Sequence, residues 1–480
     1  MPKVKDLQPL SNLANETTPS IGYFGGNWFD RLDLPHHGTI ARVTIARTDN
    51  EADFLNLRGI LARKSGKVVH LDDDQIEILQ SSVRKENNYL PQGLSSLENL
   101  HTMREKNPWW QINLKEPIQI DALQIFNRAD SLGLRSRAIR VTIEDAESKE
   151  CVLYDSTSKA HRATVLDDVS AIAGGDVANE EIQNVAEARR WRNNTVRAVV
   201  ERVKMGMPLP NRAVRNSLCA LIPTKRAPNS WHELQGDDWF LLAYILCAQV
   251  HEMPGARSAY RNFEFVLPTR EHLERLESEI NRATKSIGAS AMQLLHHGLS
   301  PKGELKKKLP ELRRLVKDLA SDLHSYNQST LLAAYGSLLG GVRTGHLIEH
   351  DDDFDVFAPI HASSKAEYIT KLDELRDYLK GRGWNVHANG QYFNSHVTKP
   401  SVTANIDLFG LWINDRIATV HMENMKLREI PSEWFETGNS ISIDGIKIAI
   451  PKHAEDFLSL RYGSNWRHPD KYYDWRWKLR

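Results

Sequence analysis

The period of the apolar residues changes twice along this chain, and that change limits its fold more than any other feature. From about Thr39 the pattern alternates. "TIARVTIAR", "ILARKSGKVVHL", "WWQINL", "IQIDALQIFNRA" and "RAIRVTIEDAESKECVLYD" set apolar and polar residues in turn, between breaks of Gly, Asp, Asn or Ser. Neighbouring side chains on a strand point to opposite faces, so Ile139, Val141 and Ile143 fall on one side and Arg140, Thr142 and Glu144 on the other. Several half-buried strands of this kind predict a β-sandwich. After about Ser158 the period lengthens. Stretches 180–203, 237–253 and 270–297 read as helices, and Leu305, Leu309, Leu312, Leu315, Leu319 and Leu323 share one helical face. From Ser329 short apolar strands are mixed with amphipathic helices, which predicts an α+β sheet.

At 480 residues the chain exceeds one ordinary core, and roughly 150 residues per domain suggests about three. We expect an irregular arm at 1–36, whose one concentrated feature is Gly25-Gly26-Asn27-Trp28-Phe29. A β-sandwich at 37–157, a helical connector at 158–328 and an α+β domain at 329–480 follow. Lys plus Arg equals Asp plus Glu, 62 against 62, and this argues against nucleic acid, which needs a local basic excess. Acids interleave the cluster of Lys306, Lys307, Lys308, Arg313 and Arg314, as on a solvated helix face. Cys151, Cys219 and Cys247 have no metal-ligand spacing and suit a reducing compartment. The longest apolar run, Trp239 to Ala248, is far short of the roughly 20 residues of a membrane span. A cytoplasmic protein, brought to a membrane only by a partner, is the expectation.

Chemistry concentrates in residues 333–357, "AAYGSLLGGVRTGHLIEHDDDFDVF". Asp351, Asp352, Asp353 and Asp355 stand at the mouth of an apolar strand. On that strand Asp353 and Asp355 would project together, as residues two apart do. Carboxylates so placed suit a hard dication such as Mg²⁺, which prefers oxygen ligands. Upstream, the Gly336-Ser337 turn would bring backbone N–H groups and a hydroxyl to phosphate oxygens at a helix start. Asp407 sits between Ile406 and Leu408, where a lone acid is costly unless it is paired or metal-bound. A solvated acidic loop is the plain reading of "DDD" alone. The combination with two apolar strands and a third acid favours two-metal phosphoryl transfer.

The order Gly-Ser-Leu-Leu-Gly-Gly-Val-Arg, then Asp-Asp-Asp-Phe-Asp-Val, resembles the LicD/fukutin family. "NIDLFGLW" and "IKIAIPKHAEDFLSLRYGSNWRHP" continue the likeness. The resemblance implies a nucleotidyltransferase-like fold and a phosphotransferase. Asp353, Asp355 and Asp407 would be its catalytic, Mg²⁺- or Mn²⁺-binding acids, and Gly336, Ser337 and Arg343 would hold the donor phosphates. Tyr462, Gly463 and Trp466 would be late pocket elements or a structural cap. His350 stands where the family often has Trp, and Gly410 where Pro is common.

Residues 107–145, with Trp109, Trp110, Leu114, Asn127, Arg128 and Arg135, resemble discoidin-type (coagulation-factor C-type) domains. That resemblance implies glycan binding through Trp109, Arg128 and Arg135, although the same residues also serve a core and its loops. Together the two resemblances imply transfer of phosphocholine, a polyol phosphate or a sugar phosphate. The donor would be nucleotide-activated, a CDP-alcohol, and the acceptor a hydroxyl of a bacterial capsule or lipopolysaccharide glycan. A glycan-binding scaffold with an inactive transferase domain is one alternative, and a nucleotidyltransferase acting on a small molecule is another. Trp384, Tyr392, Phe393 and Trp412 are candidates for an aromatic cage around a quaternary ammonium.

Overall fold

A computed structural model describes residues 1–24, 31–83, 94, 100–128, 131–223, 233–253, 256–295, 297–388, 394–422, 426–473, 475 and 477–479. The Gly25–Phe29 feature and the candidate cage residues Tyr392 and Phe393 lie outside the described residues. Contacts divide the chain into two compact units, Met1–Leu299 with Trp477–Arg480, and Ser300–Arg476.

The first unit is rich in β-structure toward its N-terminus. Its strands are β1 (Leu32–Arg47), β2 (Gly59–Lys64), β3 (Lys67–Val68), β4 (Ile76–Gln80), β5 (Trp109–Phe126), β6 (Ile139–Glu144) and β7 (Glu150–Asp155). Among the described residues these form one antiparallel sheet in the order β7-β6-β1-β5-β2-β3, with β4 also pairing β5. Ile45 lies opposite both Trp110 and Val141, and Val43 opposite both Ile112 and Ile143. All six side chains are buried in one cluster, as the alternation predicts. Each fully buried Val or Ile there contributes about 1.5–3 kcal/mol.

Four features of this unit depart from what the sequence pattern predicts. "WWQINL" and "IQIDALQIF" are one strand, β5, and the register against β1 shifts between Asn113↔Arg42 and Ile118↔Ile40. The shift falls where Pro117 has no ladder N–H to offer. In place of a second full sheet, the described residues up to Asp155 hold two short ribbons, Ala52–Asp53 with Glu105–Lys106 and Asn56–Leu57 with Leu100–His101. Leu57 and Leu100 pack into the same core. The arm is less irregular than its composition suggests. Asn12–Thr17 is helical, and the buried Arg162 guanidinium donates to Thr17 Oγ1, Thr18 Oγ1 and the Val4 carbonyl. Finally, the helix expected over 270–297 stops at Ser286, Gly288 follows with φ +67°, and Met292–Leu295 is a strand.

Beyond the short helix Asn12–Thr17, the α-helices described in this unit are α1 (Lys159–Ala173), α2 (Val185–Lys204), α3 (Arg212–Cys219), α4 (Asp238–Glu252) and α5 (Arg270–Ser286). The long apolar run forms α4, which is buried from Asp238 to Val250. Among the described residues no helix is long and apolar enough to cross a membrane.

The second unit begins with α6 (Leu309–Asn327), preceded by a four-residue helix at Glu304–Lys307. The leucine face expected of a connector instead joins the core of this unit. Leu312, Leu315, Leu319 and Leu323 are buried with the strand residues Val356, Phe357 and Leu408. Beyond α6 come β8 (Leu332–Ala333), α7 (Tyr335–Thr344), β9 (Asp355–His361), α8 (Lys365–Gly381), β10 (Asn385–Ala388), β11 (Asn394–Thr398) and β12 (Ile406–Asn414). They are followed by β13 (Ile417–His421), β14 (Leu427–Pro431), β15 (Thr437–Ile443), β16 (Ile446–Pro451) and α9 (Ala454–Tyr462). Among the described residues the sheet order is β10-β11-β12-β9-β8-β16-β15, and β13 pairs both β12 and β14. β9 runs parallel to β12 and β8 parallel to β16, while the other pairs are antiparallel. This is the mixed α and β arrangement that the pattern predicts.

One of the two family departures and two of the candidate cage residues meet their explanation in packing. A Cβ at Gly410 would lie 2.2 Å from the Tyr368 hydroxyl oxygen, and that hydroxyl donates to the Gly410 carbonyl at 3.0 Å. Glycine is therefore what this strand needs once Tyr368 occupies the core. Trp384 donates its indole N–H to Asp322, and Trp412 stacks on Tyr368 while donating to the Ala362 carbonyl. Both tryptophans are committed to the fold.

Candidate metal centre and active site

The site is built where β8 turns into α7 beside the first residue of β9. Tyr335 opens the helix with φ +31°, a conformation costing roughly 1–2 kcal/mol for a residue with a Cβ. Its ring packs against Phe357, Phe409 and Phe457, and its hydroxyl donates to the His421 carbonyl at 2.9 Å. The next residue, Gly336, donates its N–H to Asp355 Oδ2 at 2.9 Å, and Ser337 Oγ accepts the Asp355 N–H at 2.8 Å. Gly336, expected to hold phosphate, thus orients a carboxylate, and Ser337 anchors the backbone that carries it. A Cβ at Gly336 would stand 2.2 Å from Asp351 Oδ2 and 3.1 Å from Asp355 Oδ2, so the missing side chain is what lets the acids gather.

Three carboxylates converge there. Oxygens of Asp351, Asp353 and Asp355 lie within 4.8 Å of one another, Asp355 buried and the other two half-buried. Asp353 precedes β9 and does not stand on it, so it reaches Asp355 from the bend of the acid loop and not by strand alternation. Asp351 is the member that strand reasoning misses. The turn in which the Asp351 N–H donates to the Ile348 carbonyl folds the loop back, and the signal was present only as the first acid of "DDD". Burial, followed by repulsion from Asp352, pushes Asp351 up to about 7. Burial and then Asp355 push Asp353 well above the usual carboxylate range, and burial and then Asp351 do the same to Asp355. Crowded oxygen donors that repel one another in this way fit a hard divalent cation such as Mg²⁺ or Mn²⁺.

Asp407 lies outside that group of three but directly beside it. It is the register partner of Asp355 across the parallel pair β9–β12, and its N–H donates to the Phe354 carbonyl at 3.0 Å. Its charge contributes to the upward shifts of Asp351, Asp353 and Asp355. Asp407 Oδ1 is 2.5 Å from His396 Nδ1, and this hydrogen bond, against an opposing effect of burial, raises the imidazole above its ordinary value. In the sequence His396 carries no mark beyond the alternation of "NSHVT", which signals only a strand.

The remaining predicted residues are placed as follows. Arg343 Nη2 donates to the carbonyls of Trp466 and His468, and burial holds its guanidinium below its usual value. It clasps the segment after α9, and buried Trp466 belongs to the core of this unit. In the first unit, Arg128 Nη1 donates to Asn56 Oδ1 at 2.7 Å, and the Trp109 backbone N–H donates to Ser81 Oγ at 3.0 Å. Arg135 alone of the three glycan candidates lines a cleft of about 470 Å³, with Glu51, Ala52, Asp53, Phe54 and Arg104. Its guanidinium lies 4.3 Å from the centroid of the Phe54 ring.

No curated protein matches the chain. Residues 329–453, which carry α7, the acid loop, β9 and β12, match the family model for the LicD/FKTN/FKRP nucleotidyltransferase domain, and this supports a transferase role for the second unit.

Proposed function

We propose that the second unit transfers a phosphorylated alcohol from a nucleotide-activated donor, a CDP-alcohol, to a hydroxyl of a cell-surface polysaccharide or lipopolysaccharide. The convergence of Asp351, Asp353 and Asp355 within 4.8 Å carries this reading. These three would hold Mg²⁺ or Mn²⁺, and Asp407 would join them from the adjoining strand. A bound dication neutralises charge on the donor pyrophosphate and on the oxygens that gain charge in transfer. The chain itself orients the acids. Gly336 and Ser337 fix Asp355 through two hydrogen bonds, and Gly336 leaves the room in which Asp351 approaches. In the transfer, the acceptor oxygen bonds to the donor's distal phosphorus and the bond to CMP breaks. The hydroxyl proton goes to solvent or a site carboxylate. Positioning and electrostatics account for such a reaction without a covalent protein intermediate.

In the first unit, the cleft around Arg135 would hold the glycan acceptor. Glu51 and Asp53 offer acceptors for sugar hydroxyls, Arg104 and Arg135 offer donors, and Phe54 offers an apolar face. Purified protein with Mn²⁺ and a panel of CDP-alcohols tests the main reading. Release of CMP from one donor, absent in Asp355→Ala, is the expected result. Silence across CDP-, UDP- and GDP-linked donors with added acceptor would leave the glycan-binding scaffold as the better reading, and pyrophosphate as leaving group would indicate a nucleotidyltransferase.

A further inference from the structure

We propose that His396 is the positioning residue of the acidic site, holding Asp407 so that its carboxylate is presented beside Asp355. The inference rests on the metal reading above and extends it to a residue on a third strand. Register places the groups in one row. His396 on β11 is the cross-strand partner of Asp407 on β12, and Asp407 is the partner of Asp355 on β9. Partners across a ladder project to the same face of the sheet, so the imidazole and the two carboxylates lie side by side. Asp407 is 6% exposed and sits between the buried Ile406 and Leu408, where a carboxylate needs a donor. His396 Nδ1 supplies it at 2.5 Å from Oδ1.

The two acids of the row are held by the same device. Gly336 N–H fixes one oxygen of Asp355, and His396 fixes one oxygen of Asp407. A carboxylate tethered by one oxygen has its rotation restricted and offers its second oxygen in a set direction. Partners that orient metal-binding groups in this way are typically worth ten- to a hundred-fold in metal affinity. A merely structural ion pair would behave differently, since its loss would lower stability and leave ion binding by the folded protein unchanged.

Calorimetric titration of Mn²⁺ into the full-length protein, with thermal melts in parallel, separates these roles. His396→Ala should weaken Mn²⁺ binding by about ten- to a hundred-fold. His396→Asn, whose amide N–H can replace the Nδ1 donor, should regain most of that loss. Unchanged affinity in His396→Ala, or equal losses in both variants, would overturn the positioning role. If the wild type binds Mn²⁺ no better than Asp353→Ala does, the metal reading fails first and the role of His396 falls with it.

Discussion

Acids in the two sheets meet opposite fates. In the first unit Asp155 is half-buried at the end of β7, yet Thr157 and Arg140 outweigh the effect of burial and hold it below its ordinary value. Arg47 likewise meets Asp49 and lies 3.5 Å from Asp53. In the second unit burial is reinforced by other carboxylates, and Asp351, Asp353 and Asp355 all rise. One sheet spends its charges on cohesion. The other gathers like charges at a cost in stability, and perturbed carboxylates of that kind cluster at functional sites more often than elsewhere.

The sharpest break in the comparison should come from the acids themselves. Asp353→Ala should lower CMP release by about 10²–10³-fold or more, since it removes charge stabilisation made at the reacting centre. Arg140→Ala in the first unit should leave turnover alone. Retained turnover in Asp353→Ala, measured by chromatography of CMP, would remove the contrast.

Gly336→Ala should come next. Its Cβ would press on the oxygens of Asp351 and Asp355, so Mn²⁺ binding should be lost and stability lowered by about 1–3 kcal/mol. Calorimetry and denaturant melts read both effects. An alanine variant that binds Mn²⁺ normally would show that the acids do not need that space.

A smaller effect sharpens the electrostatic side. Between the ordinary aspartate range near 3.8 and about 7, the folded protein binds more protons at Asp351 than the unfolded chain does. Metal-free stability should therefore fall as pH rises through that window. Asp351→Asn should flatten the slope and raise the metal-free melting temperature at pH 7.5, by about 2–4 °C for each kcal/mol of repulsion relieved. Thermal melts from pH 4 to 8 check it, and a wild-type profile without slope would contradict the raised carboxylate. The smallest change belongs to the first unit. The partly exposed Arg140–Asp155 pair should contribute about 0–1 kcal/mol, so Arg140→Ala should shift a urea midpoint only slightly.

Much of this architecture was legible in the sequence because periodicity reports burial locally. The alternation of β1, β5 and β6 named the buried face, and the leucine spacing of α6 named a helical one. Where the reading went astray, the deciding contact was distant. The leucines of α6 are as apolar as those of a connector, and only their packing with Phe357 and Leu408 assigns them to the second unit. "WWQINL" and "IQIDALQIF" read as two runs, but β1 pairs on both sides of Pro117 and keeps β5 continuous.

The site divides along the same line. By itself the sequence determined the chemical kinds present: a run of acids at a strand mouth, a Gly-Ser before a helix, and a lone Asp in an apolar strand. Those features rest on composition and on the order of neighbours, which a chain carries before it folds. Only the tertiary structure decided that Asp351 completes the trio, that Gly336 and Ser337 hold Asp355, and that His396 reaches Asp407 from another strand. Each of those outcomes depends on the register of paired strands and on the space left by a missing Cβ, which are relations between residues far apart along the chain.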